Sequence, residues 1–202
     1  MFETVQGEGG VLPLDRDFLT WLEDFAREKD LLLIADEVQT GNGRTGMLYG
    51  YMNFGIVPDI VSTAKGLGGG LPIGATLLGE RVKDVLGAGM HGSTFGGNPV
   101  CCAGALNILS RIDDNLLEGV RRKSKYIFDE LNGAKGVISV TGLGLMIGIE
   151  PEHKPAGEIV KKCMQNGVLC LTAKNKVRLL PPLNIEWDDL KKAVDVLLDA
   201  MK

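Results

Sequence analysis

The chain has 202 residues, 45% hydrophobic and 24% charged, which is enough apolar material to bury a core and too much for a disordered chain. Its net charge of −4 argues against nucleic acid as a partner, since phosphate binding needs a basic surface. No apolar run approaches membrane-spanning length (LLLIA, 31–35, is among the longest), and the N-terminus shows no basic segment followed by an apolar one, so the expectation is a cytoplasmic protein with no membrane partner.

In chain order, LDRDFLTWLEDFAREKD (14–30) places Phe18, Leu22 and Phe25 at helical spacing, with Asp15 and Asp17 near the start where the helix dipole favours acids. LLLIAD (31–36) is short, continuous and apolar, as a strand buried on both faces would be. Pro58-Asp59 marks a turn, IVST (60–63) reads as the next strand and IGATLLG (73–79) as a third. PVCCAGALNILSRI (99–112) and LLEGVRRKSKYIFDEL (116–131) read as helices, the first opening on proline. VISVTGLGLMIGIE (137–150) alternates like strand with a glycine bend, EIVKKCMQNG (158–167) is a helix ended by glycine, VLCLTA (168–173) and VRLLPPLNI (177–185) are short strands, and WDDLKKAVDVLLDAMK (187–202) is an amphipathic helix. Strands joined by helices and glycine loops predict an α/β fold. A change of texture near residue 113 divides it into a glycine-rich α/β part, 1–113, and a smaller α+β part, 114–202. The four cysteines, at 101, 102, 163 and 170, have no zinc-site spacing and are expected to be free thiols.

The 28 glycines are roughly double the ordinary share of about 7%. A pocket where backbone must approach a ligand would use glycine this way, and so would many tight turns. In open α/β sheets, ligands collect at the carboxyl ends of strands. Asp36 ends LLLIAD, and Lys65 lies just past IVST, before Gly66, Gly68, Gly69 and Gly70. The two charges could simply pair with each other. Alternatively, a partly desolvated lysine can lose its proton and form a Schiff base with a carbonyl. Pyridoxal phosphate chemistry needs that lysine, a carboxylate for the pyridine nitrogen, and donors for the phosphate. HGSTFGGNP (91–99) offers hydroxyls at Ser93 and Thr94, glycine amides, and a helix N-terminus after Asn98. A P-loop is excluded because its lysine follows its glycines, and here Lys65 precedes them. His91 reads as structural, Arg44 as half of a structural ion pair, and Arg178 by itself as an ordinary surface arginine.

ADEVQTGNGRTG (35–46), VSTAKGLGGGLPIG (61–74) and HGSTFGGNP (91–99), in this order and with VQGEGG (5–10) and VRLLPPL (177–183), resemble the class III pyridoxal-phosphate aminotransferases over essentially the whole chain. The resemblance implies a fold-type I transferase: part of a large domain with a mainly parallel sheet, followed by an α+β small domain. It implies that Lys65 holds the cofactor and acts as catalytic base, and that Asp36 pairs with the pyridinium nitrogen. Glu37, Val38 and Gln39 would form the wall beside the ring, with the Gln39 amide able to reach the phenolic oxygen. Thr94 would bind the phosphate, across the interface of a homodimer, and Ser93 would lie near the substrate. Glu8 and Arg178 would form a gate-like pair at the site for the second substrate's carboxylate. Within the family, LTAKN (171–175) and RLLPPL (178–183) are most like the members that move the terminal amine of N2-acetylornithine to 2-oxoglutarate in arginine biosynthesis; donors such as ornithine, succinylornithine or 4-aminobutyrate remain open, as does a non-catalytic remnant of the fold.

The family's Glu-Pro-x-Gln reads Glu3-Thr4-Val5-Gln6 here, which loosens a turn preference but removes no catalytic group. Family members are about twice as long, and these motifs correspond to their C-terminal half. The resemblance therefore implies that a Ser-Gly-Thr phosphate turn, an aromatic residue stacked on the cofactor and an arginine clamp for the α-carboxylate lie outside this sequence, and that an exposed strand edge makes the isolated chain prone to associate.

Overall fold

A computed structural model describes residues 1–202. The elements in order are β1 (Val5–Gln6), β2 (Leu12–Pro13), α1 (Arg16–Glu28), β3 (Ile34–Asp36), β4 (Ile60–Thr63), β5 (Ala75–Leu78), α2 (Pro99–Leu109), α3 (Asp114–Leu131), β6 (Val137–Leu143), β7 (Met146–Pro151), α4 (Ala156–Gln165), β8 (Leu171–Ala173), β9 (Lys176–Leu179) and α5 (Trp187–Met201). They form two compact units: Met1–Thr4, Leu14–Gly43 and Met47–Asp114 make the first, and Val5–Pro13, Arg44–Gly46 and Asn115–Lys202 the second. The QGEGG segment and the Arg44–Gly46 stretch thus belong with the C-terminal residues.

In the first unit, Asp15 caps α1 by accepting from the amides of Asp17 and Phe18. The helix ends at Glu28, and Asp30 turns the chain in the left-handed region at φ 51°. Leu31 then donates back to the Ala26 carbonyl, so the leading leucines of LLLIAD finish the helix turn. Leu31 and Leu32 stay half-exposed, and the strand is only its last three residues. Strand order is β3-β4-β5, with β3 and β4 parallel and β5 antiparallel to β4. The register sets Asp36 beside Ser62. The core here is Ala35, Val61 and Tyr49, flanked by Phe2, Leu48 and Met52.

The second unit is a four-stranded antiparallel sheet, β6-β7-β9-β8. Alternation explains its two faces. Ile147, Ile149 and Val177 face α3, α4 and α5 and pack with Val120, Ile127, Ile159 and Leu197 in the larger core. Met146 turns the other way and meets Val5 and Val11 of the β1–β2 segment. Thr141, Gly148 and Arg178 occupy successive register positions of that second face.

Candidate active site

Lys65 and Asp36 stand at the carboxyl ends of neighbouring parallel strands. They do not pair. The Lys65 ammonium is exposed and makes no ion pair or hydrogen bond, and the Asp36 carboxylate accepts one bond, at Oδ1 from the Val38 amide at 3.0 Å. A charge-neutralising ion pair, the bland reading of these two residues, is therefore absent. Lys65 also holds an unusual backbone: φ is 46°, in the left-handed region that disfavours any residue with a Cβ. It opens a 3-10 turn over Lys65–Gly68. Beside Asp36 in register, the Ser62 hydroxyl is buried without a partner, an atom whose satisfaction the protein alone does not supply.

Of the glycines after Lys65, Gly68 and Gly69 are required by packing, while Gly70 faces open space. A Cβ on Gly69 would fall 2.7 Å from Ile108 Cδ1 of α2, and one on Gly68 2.8 Å from Ile73. The glycine run is thus the seat of α2 in this unit.

Glu37 is expected in the cofactor wall, but its side chain is fully buried and spent: Oε2 accepts from Thr40 Oγ1 (2.6 Å) and the Gly50 amide (2.7 Å), and Oε1 from the Tyr51 amide (2.8 Å). Burial holds its carboxyl above the usual range, against the three donors that favour ionisation. Glu37 ties the DEVQ turn to the 49–51 segment, each of its oxygens already accepting from the protein. Val38 and Gln39 are half-buried, and the Gln39 amide is unengaged.

Ser93 and Thr94 lie in a wholly exposed stretch, 83–100. Ser93 Oγ accepts from the Gly96 amide at 3.1 Å and closes its own turn; the Thr94 hydroxyl is unengaged. The helix start expected to offer free amides is already capped, since Asn98 Oδ1 accepts from Val100 at 3.0 Å and Cys101 at 3.2 Å. An open cavity of about 750 Å³ lies against β4 and β5, lined by Ser62, Thr63, Thr76, His91 and Ser93 among others. Lys65, Asp36 and Thr94 are not in its lining.

In the second unit, Arg178 Nη1 donates to Glu8 Oε1 at 2.7 Å. Arg178 is buried and its Nε has no partner, while Glu8 is largely exposed. The pair named from sequence is therefore formed, with a buried cation and a solvent-side acid. Lys176 backs it: its Nζ donates to Thr141 Oγ1 (2.8 Å), whose hydroxyl donates to the Val11 carbonyl (2.8 Å), bracing the segment that carries Glu8. Nothing in the spacing of Lys176 signals this. Arg44 corrects an expectation, since it makes no ion pair. Its Nη1 donates to the carbonyls of Leu145 (3.1 Å) and Pro181 (2.6 Å), and burial lowers its pKa to about 10.

The sequence pattern of the family Aminotransferase class-III matches residues 1–201. The chain belongs to the class III aminotransferases. The acetylornithine aminotransferase of Haemophilus ducreyi is 48% identical over 202 residues, which is 100% of this chain and 51% of that protein. That of Clostridium acetobutylicum is 44% identical over 207 residues, 99% of this chain and 53% of the other. Among solved structures, the N-acetylornithine aminotransferase of Stenotrophomonas maltophilia aligns at TM-score 0.88 and 35% identity, covering 98% of this chain and 54% of its own. The ornithine aminotransferase of Toxoplasma gondii aligns at 0.91 and 32%, covering 98% and 50%. The chain spans about half the length of the curated relatives it matches. Class III aminotransferases are pyridoxal-phosphate enzymes, and a T. gondii ornithine aminotransferase structure is described with partial occupancy of that cofactor.

Proposed function

We propose that this chain carries the cofactor-anchoring side of an aminotransferase that moves the terminal amine of N2-acetylornithine to 2-oxoglutarate. The observation that carries the reading is the pair of unspent groups at adjacent strand ends: a lysine Nζ at Lys65 that engages no other group, and a carboxylate oxygen at Asp36 with no protein partner. The donor set suits pyridoxal phosphate, which needs an amine, an acid and hydroxyls, and the orphaned Ser62 hydroxyl beside Asp36 adds a polar group in want of a partner. Bound there, the cofactor would supply an aldehyde that condenses with amines and a protonated ring that withdraws electrons.

Lys65 would hold the cofactor through Nζ and, when not so engaged, would serve as the proton carrier. The freed Nζ would then take the proton from the donor carbon bearing the amine and return it one position along. The Asp36 carboxylate would accept from a protonated ring nitrogen and so favour positive charge there. Val38 and Gln39 would flank the ring. The wholly exposed position of Thr94 favours a phosphate contact made in a homodimer, with Ser93 nearer the donor. Arg178 would take a carboxylate of 2-oxoglutarate when Glu8 swings clear; the exposure of Glu8 supports its being the mobile member. The structural likeness to ornithine aminotransferase favours ornithine as the second candidate donor.

The test is borohydride trapping of pyridoxal phosphate on the purified chain, with peptide mapping. The reduced adduct is expected on Lys65 and lost in Lys65→Ala; label spread equally over surface lysines in both proteins would overturn the assignment. Glutamate formation from 2-oxoglutarate with N2-acetylornithine, ornithine and 4-aminobutyrate in turn would rank the donors.

A further inference from the structure

We infer that Asn42 is the positioning residue for Lys65, its amide fixing the peptide plane from which the lysine's left-handed backbone departs. The inference rests on Lys65 being the cofactor anchor. Asn42 sits in GNG (41–43), is 6% exposed, and is itself left-handed at φ 56°. Asparagine tolerates that region better than most residues.

From there its Nδ2 donates to Thr63 Oγ1 at 3.0 Å and to the Ala64 carbonyl at 3.2 Å. The same carbonyl accepts from the Leu67 amide at 3.0 Å. Two donors on one carbonyl fix the plane of the 64–65 peptide, and that plane carries the nitrogen of Lys65. A lysine at φ 46° stays there only if its surroundings over-determine it. The Asn42 amide and the Leu67 amide are that determination. The orientation of the Asn42 amide follows from its neighbours. Turned over, Oδ1 would face the Ala64 carbonyl, oxygen against oxygen, so the nitrogen points there and Oδ1 is left buried without a partner. That residual cost is accepted where the turn alone would be served as well by glycine.

This last point supplies the experiment. Asn42→Gly keeps the left-handed turn and deletes the amide; Thr63→Val deletes the other acceptor and leaves the bond to Ala64 in place. Two readouts are taken on the full chain: amide hydrogen exchange over 64–68 without cofactor, and the concentration of pyridoxal phosphate that half-saturates borohydride-trapped adduct on Lys65. Loss of the bond to the Ala64 carbonyl predicts exchange over 64–68 faster by about tenfold in Asn42→Gly, and half-saturation raised by about as much, while Thr63→Val, which loses only the bond to Thr63 and keeps the one that fixes the peptide, stays within about twofold of wild type. Exchange in α3 to α5 is expected to stay at the wild-type rate in both. Unchanged exchange over 64–68 in Asn42→Gly overturns the inference. Faster exchange with unchanged trapping also overturns it, because Asn42 then serves the fold and not the lysine. If the wild type itself gives no adduct on Lys65 while exchange quickens in the variant, the brace stands and the anchor assignment falls.

Discussion

Replacing Glu37 by glutamine removes one acceptor from a site that needs two. In the wild type Oε2 serves the Gly50 amide and the Thr40 hydroxyl, and Oε1 serves the Tyr51 amide. Thr40 can turn its hydroxyl round to accept, but a backbone amide cannot. Whichever way the new side chain lies, its NH2 group meets either Gly50 or Tyr51 donor to donor. An unsatisfied buried amide costs roughly 1–3 kcal/mol. A loss of about 2 kcal/mol lowers the melting temperature of a chain this size by about 4–8 °C. Calorimetry measures the shift, and hydrogen exchange shows which amide lost its partner. The pH dependence provides an independent arm. Because burial raises the native pKa of Glu37 above the ordinary carboxylate value of about 4.5, between those two values the native state holds a proton that the unfolded state has released. Wild-type stability therefore falls as pH rises from about 4.5 through the raised native pKa, and glutamine abolishes that part of the slope. A variant that melts within about 1 °C of wild type, with Gly50 and Tyr51 equally protected, would refute Glu37 as the anchor of this loop.

Arg44→Met strips the donor from the Leu145 and Pro181 carbonyls and also removes a desolvated charge. The two effects oppose, and we expect a net loss of about 1–3 kcal/mol, read as a lower urea midpoint at unchanged slope; an equal or higher midpoint would mean the buried charge costs more than its bonds return. Glu8→Gln loses an ion pair whose acid is solvent-exposed, so stability should change by less than about 1 kcal/mol. The same substitution is expected to tighten 2-oxoglutarate at Arg178 in calorimetric titration, since a competing carboxylate is gone; unchanged affinity would count against the gate.

What the sequence disclosed and withheld divides by range. The acids Asp15 and Asp17 at the start of α1, the glycine bend between β6 and β7, and the strand ends carrying Asp36 and Lys65 are local patterns, and the chain realises them, with Asp15 as the cap. The failures are long-range. LLLIAD looks like a doubly buried strand, but Leu31 belongs to the end of α1 through its bond to Ala26, which no apolar count reveals. Arg44 reads as half of a structural ion pair, but its acceptors are carbonyls 101 and 137 residues away. The family resemblance puts Glu37 in the wall beside the cofactor, and what the local pattern does not show is that two of its partners lie 13 and 14 residues on. Asn42 could have been suspected, since asparagine between two glycines is a common way to turn left-handed. What it holds could not.

The same contrast bears on whether the chain is an active half-site or a fold without chemistry. Apart from Arg178, the desolvated ionisable groups in this protein are engaged in holding it together: Glu37 by three donors, Arg44 by two carbonyls, Lys123 by the Leu183 carbonyl and Lys176 by Thr141. Each could be replaced, in principle, by any arrangement that satisfies the same partners. Lys65 shares an unengaged ammonium and a left-handed backbone with Lys174 of the β8–β9 turn, and it is the bond from a buried asparagine to the preceding carbonyl that sets it apart. The Lys65 ammonium engages nothing, its backbone sits in the left-handed region, and a buried asparagine at a cost of its own keeps it there. Folding stability gives no reason to retain such a lysine, because glycine would relieve the strain without losing a contact. A remnant that no longer served catalysis would have no need of the strain or of its brace. Lys65→Gly should therefore stabilise the chain, by roughly 1 kcal/mol from the relieved left-handed backbone less glycine's greater entropy in the unfolded state, while abolishing the trapped adduct. A Lys65→Gly chain that melts below wild type would show that Lys65 has work in the fold, and would remove the asymmetry on which its functional reading depends.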